Sequence, residues 1–338
     1  MKAWQKQGVG LENMKLVELE VPKSGPNQIL IRVKAVSLNF RDKAIMDGIY
    51  LPELMNRKFV PVSDTAGVVV EIGSDVTQFK LGDRVTSHLY TKWTEGAPSE
   101  DEAPFAIGGP NDGGLAEYML LEENAAVHAP ANLTDEEAST LPIAALTAWF
   151  SLVEYGNLRA GETVLVQGTG GVSIFAAQIA AAMGARVIAT TSSDEKGEKV
   201  RKLGATDIIN YVKTPNWEDE VLKLTDGKGA QHIIEVVGGD GLNQSIKALA
   251  QQGYIYIVGF LNGMMSNVNL FSLLAKQARI QGIYVGHRKA FDEMNQAFDK
   301  YQIKPVIDTI YPFEQAIEAY QHLARGAFGK IVIRVDKN

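Results

Sequence analysis

The stretch Val164-Leu165-Val166-Gln167-Gly168-Thr169-Gly170-Gly171-Val172-Ser173 decides the fold. An apolar run of strand length meets a glycine-rich turn. An alanine-rich segment of helical period follows, from Val172 to Met183. Gly168 permits the tight turn, and Gly170 leaves room for a pyrophosphate to approach the backbone. The amides of Gly171 and Val172 open the helix, where unpaired N–H groups and the dipole favour an anion. Ser173 stands in place of the third glycine of a dinucleotide fingerprint and is small enough for close packing of helix on strand.

The pattern continues outward from that turn. Strand-like runs at Arg186–Thr191, Asp207–Asn210, His232–Val237, Tyr254–Val258 and Arg279–Tyr284 follow Thr163–Gln167. Helical stretches at Glu195–Leu203, Trp217–Leu224 and Gly241–Ala250 fall between most of them. This alternation predicts an α/β chain with a doubly wound parallel sheet, a Rossmann domain, over residues 126–287. Residues 1–125 read differently. Short alternating runs such as Ile29–Val36 and Ala66–Ile72 are separated by Gly, Pro, Asp and Asn, which predicts a β-rich domain. Gly82-Asp83 reads as a turn feeding a strand at Arg84-Val85, and the acidic segment Glu95–Pro104 as an exposed loop. Residues 288–338 return to amphipathic helix (Phe291–Tyr301, Phe313–Arg325) and close on a strand, Lys330–Val335. They are assigned to the β-rich domain.

The second strand of the Rossmann pattern selects the cofactor. An NAD site places an acid at its end, to bond the ribose 2′-hydroxyl. Here Thr191 and Ser192 occupy that place, and Asp194 and Glu195 come later, as helix-starting residues. A 2′-phosphate would meet hydroxyls, with Lys196 as counter-charge, so NADP is expected. The alternative for Lys196 is a lysine on a solvated helix face.

Composition narrows the chemistry. The 338 residues carry a net charge of −7 and no basic stripe, which argues against nucleic acid as a partner. No apolar run reaches the length of a membrane span or a signal-peptide core, so a cytoplasmic protein is expected. There is no cysteine, which excludes disulfides, thiolate catalysis and any zinc site needing a thiolate. The five histidines lie far apart and form no HxH or HxxxH pair.

The motifs, taken together, carry a resemblance. They are Ser37-Leu-Asn39-Phe-Arg-Asp42, Pro61-Val-Ser-Asp-Thr-Ala-Gly67, Phe79-Lys-Leu-Gly-Asp-Arg-Val85, Gly114-Leu-Ala-Glu-Tyr118, Leu141-Pro-Ile-Ala-Ala-Leu-Thr147-Ala-Trp149, the turn Gly168–Val172 and Glu235-Val-Val-Gly-Gly239. In this order the chain resembles a medium-chain dehydrogenase/reductase of the zinc-free, quinone-oxidoreductase-like branch, over essentially its whole length. The resemblance implies a GroES-like fold for the β-rich catalytic domain. Zinc-bearing relatives hold their catalytic metal at positions that match Asn39, Ser63 and Pro142, and their structural zinc in a loop matching Lys92–Asn111. It therefore implies that neither zinc is present.

It also implies site residues. Thr147 and Val237-Gly238-Gly239 match positions near the nicotinamide ribose, and Gly259-Phe260 the strand end beside the carboxamide. Ser192, Lys196 and Tyr211 match residues that hold the 2′-phosphate and adenosine. Lys330 matches a residue at the pyrophosphate, its alternative being a solvated lysine at a strand end. Asn39 is the expected donor to the reacting oxygen. Arg41 either binds the developing anion or pairs with Asp42, and Tyr50 is either a substrate-lining aromatic or an ordinary core or rim tyrosine. The expected reaction is NADPH-dependent hydride transfer to a quinone or conjugated enone. A zinc-free alcohol dehydrogenase, an enoyl reductase, or a non-catalytic NADPH-binding sensor or RNA-binding protein are the alternatives. A homodimer or homotetramer is expected, because the last cofactor-domain strand, Arg279–Val285, is an apolar sheet edge.

Overall fold

Strand β3 (Gln28–Leu38) organises the first part of the chain in the computed structural model, which describes residues 1–51, 53, 56–98 and 106–336. Its first half pairs antiparallel with β6 (Tyr118–Glu122) and its second half with the C-terminal strand Lys330–Arg334. Along its other edge runs β4 (Asp64–Ile72), followed by β5 (Arg84–Ser87) and β7 (Ala126–His128). The strand Ile307–Pro312 extends the sheet beyond the C-terminal strand. A separate hairpin joins β1 (Lys2–Lys6) to β2 (Met14–Glu18). Alternating residues of β3 (Ile29, Ile31, Val33) are buried in one core with Val69, Val85, Leu121, Ile331, Ile333, Phe313 and Tyr320. Burial of each large aliphatic side chain contributes about 1.5–3 kcal/mol. Short helices α1 (Phe40–Met46) and α2 (Asp135–Ala138) flank the sheet.

The second part is the expected doubly wound sheet. β8 (Thr163–Gln167), β9 (Arg186–Thr191), β10 (Asp207–Asn210), β11 (Ala230–Glu235), β12 (Leu249–Ile257) and β13 (Arg279–Gly282) lie in the order β10-β9-β8-β11-β12-β13, all parallel. The connecting helices are α3 (Gly171–Ala182), α4 (Asp194–Lys202), α5 (Trp217–Leu224), α6 (Leu242–Ala248) and α7 (Leu270–Lys276). Leu165, Ile188, Ile209, Ile233 and Ile255 meet Trp217, Val221, Leu242 and Ile246 in its core. β8 is buried on both faces along its whole length, which is why Val164, Leu165 and Val166 are apolar in succession rather than in alternation.

The two compact units are Met1–Leu146 with His287–Asn338, and Thr147–Gly286. The expected boundary at 125/126 falls earlier than the observed one. β7 pairs with β5 and α2 packs on β3 and β4, so 126–146 belongs to the β-rich unit. The acidic segment Glu95–Pro104 is exposed and without regular structure as far as Pro98, and Ser99–Pro104 lies outside the described residues. Among the described residues no helix is long and apolar enough to cross a membrane.

Candidate active site

The glycine turn has the form its sequence requires. Gly168 takes φ +72°, a conformation costly for a residue with a Cβ. A Cβ placed on Gly168 or Gly170 would meet nothing within 4 Å, so space is open beside the turn. Gly170 is the N-cap of α3 and supplies no side-chain capping hydrogen bond to the first amides of that helix. Open space against uncapped amides fits a pyrophosphate at Gly168, Gly170, Gly171 and Val172. Ser173 does more than pack. It is buried, and its hydroxyl donates to the carbonyl of Gln167 at 2.6 Å, tying helix to strand.

A polar network not foreseen from the sequence holds the neighbouring strand ends. The Gln167 amide donates to Glu235 Oε2 at 2.9 Å and to Ser245 Oγ at 2.8 Å, and its oxygen accepts from Val236 N at 3.1 Å. Glu235 Oε1 accepts from the amides of Val237 (2.8 Å) and Gly238 (3.0 Å). Buried polar residues ending apolar strands were the available signal. The loop after β12 packs back to back with this one: Asn262 N donates to Val237 O at 2.7 Å and Gly239 N to Gly263 O at 3.1 Å. Gly259 has no room for a Cβ, which would lie 2.9 Å from Val236 O. The structure thus brings Val237, Gly238, Gly259 and Phe260 together. Thr147 is buried in the helical segment 141–155, where its carbonyl accepts from Ser151 Oγ at 2.7 Å.

At the end of β9 one expectation is corrected. Thr191 is buried, and its hydroxyl accepts from Ser193 N (3.2 Å) and donates to Ser193 O (3.3 Å). That local turn satisfies the hydroxyl, so Thr191 is not offered to a ligand. Ser192 is exposed, and Tyr211 lies next to it because Tyr211 N donates to Thr191 O at 3.0 Å. The two acids that follow are occupied. Asp194 binds Lys213 and the Asn210 amide, and Glu195 pairs with Lys199 at 2.8 Å. Among the described residues the Lys196 ammonium makes no salt bridge.

In the β-rich unit the sheet register gathers a second set. Ile331 lies opposite Leu38, and Ser37 opposite Asp64. Three strand ends therefore place Lys330, Asn39 and Asp64 side by side. Lys330 is 3% exposed, and its ammonium donates to Leu38 O (2.9 Å) and Asn39 Oδ1 (2.5 Å) and lies 3.5 Å from Asp64 Oδ2. The expectation of a pyrophosphate lysine, and its alternative of a solvated one, both give way to an enclosed ammonium. Burial lowers the pKa of Lys330 and raises that of Asp64, each opposed by the other's charge. Asp64 also accepts from Ile143 N and Ser63 Oγ, both at 3.4 Å, so the positions matching the zinc ligands, Asn39, Ser63 and the Pro142 turn, do converge.

Asn39 and Asp42 form a capping box at the start of α1. The Asn39 side-chain amide nitrogen has no hydrogen-bond partner although it is buried. It lies near enough to Asp64 to favour that carboxylate's charged form, but without hydrogen-bond geometry. Asp42 accepts from Asn39 N at 2.8 Å, and burial pushes its carboxyl up to about 6 against the pull of the Arg41 charge. Arg41 acts on Asp42 through its charge rather than through a salt bridge among the described residues, and its Nε has no hydrogen-bond partner. Its guanidinium donates to the carbonyls of Ile107, Gly108 and Gly109 and lies 6.0 Å from the Tyr50 ring centre.

Comparison with known proteins gives the family. Residues 25–131 match the alcohol dehydrogenase GroES-like domain family, and 171–300 the zinc-binding dehydrogenase family. The zinc-type alcohol dehydrogenase-like protein C1773.06c of Schizosaccharomyces pombe is 43% identical over 97% of this chain and 96% of its own. The quinone oxidoreductase of Sus scrofa is 31% identical over 96% and 94%. The chain belongs to the medium-chain dehydrogenase/reductase family, in its quinone-oxidoreductase-like branch. Solved members superpose over nearly all of it. A Sinorhizobium meliloti protein with a provisional alcohol dehydrogenase name gives a TM-score of 0.94 at 46% identity, covering 99% of this chain and 98% of its own. The quinone oxidoreductase of Pseudomonas syringae gives 0.82 at 29%, covering 99% of both chains. This medium-chain dehydrogenase/reductase is thus an oxidoreductase that uses a nicotinamide dinucleotide, with the GroES-like and Rossmann parts expected from its sequence.

Proposed function

We propose that the protein is an NADPH-dependent, metal-independent reductase of quinones or conjugated carbonyls. The observation that carries this reading is the buried Asn39 amide nitrogen, which completes no hydrogen bond within the protein, at the position that the resemblance matches to a metal ligand of zinc relatives. Leaving such a donor unpaired costs about 1–3 kcal/mol, a cost relieved when a ligand brings an acceptor. A reduced nicotinamide supplies the hydride when bound. Hydride addition to a quinone or enone leaves negative charge on the acceptor oxygen. An amide N–H aimed at that oxygen stabilises the charge by about 3–4 kcal/mol. The test is a panel assay following NADPH absorbance with quinones, enones and aldehydes. Turnover of aldehydes alone would replace this reading with an alcohol dehydrogenase, and turnover of none with a non-catalytic NADPH binder.

Metal independence is supported by the donor set. Asn39, Ser63 and Pro142 offer no thiolate or imidazole, and the Lys330 ammonium already lies between Asn39 and Asp64. These residues do not fit a zinc ion. Activity should therefore survive dialysis against a strong chelator, with no stoichiometric zinc by elemental analysis. One tightly held zinc per chain, lost together with activity, would overturn the reading.

A homodimer or homotetramer is proposed as well. β13 is an edge strand, and near it in sequence Leu261, Met264, Met265, Leu270, Phe271 and Leu274 are all exposed, Met265 by 86%. Such an apolar surface on an open edge favours pairing with a copy of itself. Light scattering at micromolar concentration should give at least twice the chain mass. A monomeric mass would refute this.

A further inference from the structure

We infer that Lys330 is a positioning residue for the Asn39 amide: it binds the amide oxygen, turns the NH2 group away from itself and strengthens that group as a donor. The inference rests on the reading of Asn39 as the oxygen-stabilising donor. Three observations carry it.

The first is chemical. An ammonium has only donors, so the end of the Asn39 side chain that it meets at 2.5 Å is the oxygen. The orientation of the amide, usually ambiguous between O and N, is settled by this neighbour. The second is how Asn39 is held at the start of α1. It forms a capping box with Asp42, whose carboxylate accepts the Asn39 N–H at 2.8 Å, so the side chain that meets Lys330 springs from a fixed backbone. The third is enclosure. Lys330 is held on three sides by Leu38 O, Asn39 Oδ1 and Asp64, inside a sheet whose register sets all three. A cation fixed on an amide oxygen draws electron density from the nitrogen, and hydrogen bonds in such a chain reinforce one another.

The experiment compares the wild type, K330M, K330M/D64N, N39A and N39A/K330M/D64N. K330M alone leaves Asp64 buried without its counter-charge and risks misfolding, so K330M/D64N, which removes both charges, is the deciding variant. Its fold is checked by circular dichroism and thermal melting. Expected is a fall in kcat with a quinone of up to about 100-fold, the cost of a misplaced catalytic group, with the Kd for NADPH unchanged. In the N39A background the same pair of changes should cost nothing further, because there is no amide left to position. Wild-type kcat in folded K330M/D64N would overturn the inference. So would a loss of NADPH affinity that matches the loss of rate, which would make Lys330 a cofactor contact. Multiplying losses in the combined variant would also overturn it, showing that the residues act separately. Full activity of N39A would sink the donor reading itself and this inference with it, whatever K330M/D64N does.

Discussion

Asn39→Ala is expected to lower kcat about 10- to 1000-fold while leaving NADPH affinity nearly unchanged, the range for losing one donor to a developing oxyanion. The residue sits where β3 ends and α1 begins, and its side-chain oxygen accepts from the Lys330 ammonium. A donor that strengthens mainly in the transition state affects kcat more than KM. Asn39→Asp should be at least as damaging. It would add a third carboxylate beside Asp42 and Asp64, bind the Lys330 ammonium, and repel the forming anion. Steady-state kinetics with a quinone and an enone, alongside fluorescence titration of NADPH, check this. Two results would defeat it: full activity of Asn39→Ala with both acceptors, or a loss of NADPH affinity that accounts for the loss of rate.

Lys196→Ala is expected to weaken NADPH binding about 10- to 150-fold and leave NADH nearly untouched, since a charge-assisted contact is worth about 1.5–3 kcal/mol. Charge, rather than the Thr191 hydroxyl, carries this expectation. Thr191 is satisfied by its own turn, which leaves Ser192, Tyr211 and Lys196 as the candidates for the 2′-phosphate. The nearby acids have other partners, which blunts their repulsion of a phosphate. Asp194 is bound by Lys213 and Asn210, and Glu195 by Lys199, and these contacts hold both carboxyls below their ordinary pKa. Equal wild-type affinity for NADPH and NADH would contradict the proposal.

Local and periodic features were legible in the sequence. The strands Thr163–Gln167, Arg186–Thr191 and Asp207–Asn210 fall where their apolar runs place them, because each is bounded by turn or helix signals on both sides. Gly168 and Gly170 were legible for the same reason: a turn of this kind has few other solutions. Lys330 was not. Its partners Asn39 and Asp64 come from strands 291 and 266 residues away, and only the pairing register brings them to it. Asp64 does carry a signal of its own, as an acid opening an otherwise apolar strand. The Arg41 contacts depend on the course of the Ile107–Gly109 loop, which no periodicity encodes. The unit boundary fell early because strand β7 and helix α2 are joined to the β-rich sheet by pairing and packing that no local pattern encodes.

The pairing of the C-terminal strand with β3 also sets a schedule. The Rossmann unit is one continuous stretch, Thr147–Gly286, and every strand it needs has left the ribosome before Lys330 is made. The β-rich unit must wait, because the second half of β3 gains its outer neighbour only from a strand made after the whole Rossmann unit. Contacts of such long sequence separation are slow to close, and until they do an apolar strand edge stays open. Premature termination anywhere between the end of the Rossmann unit and residue 330 therefore yields a chain that keeps the complete glycine turn and lacks the cation beside Asn39.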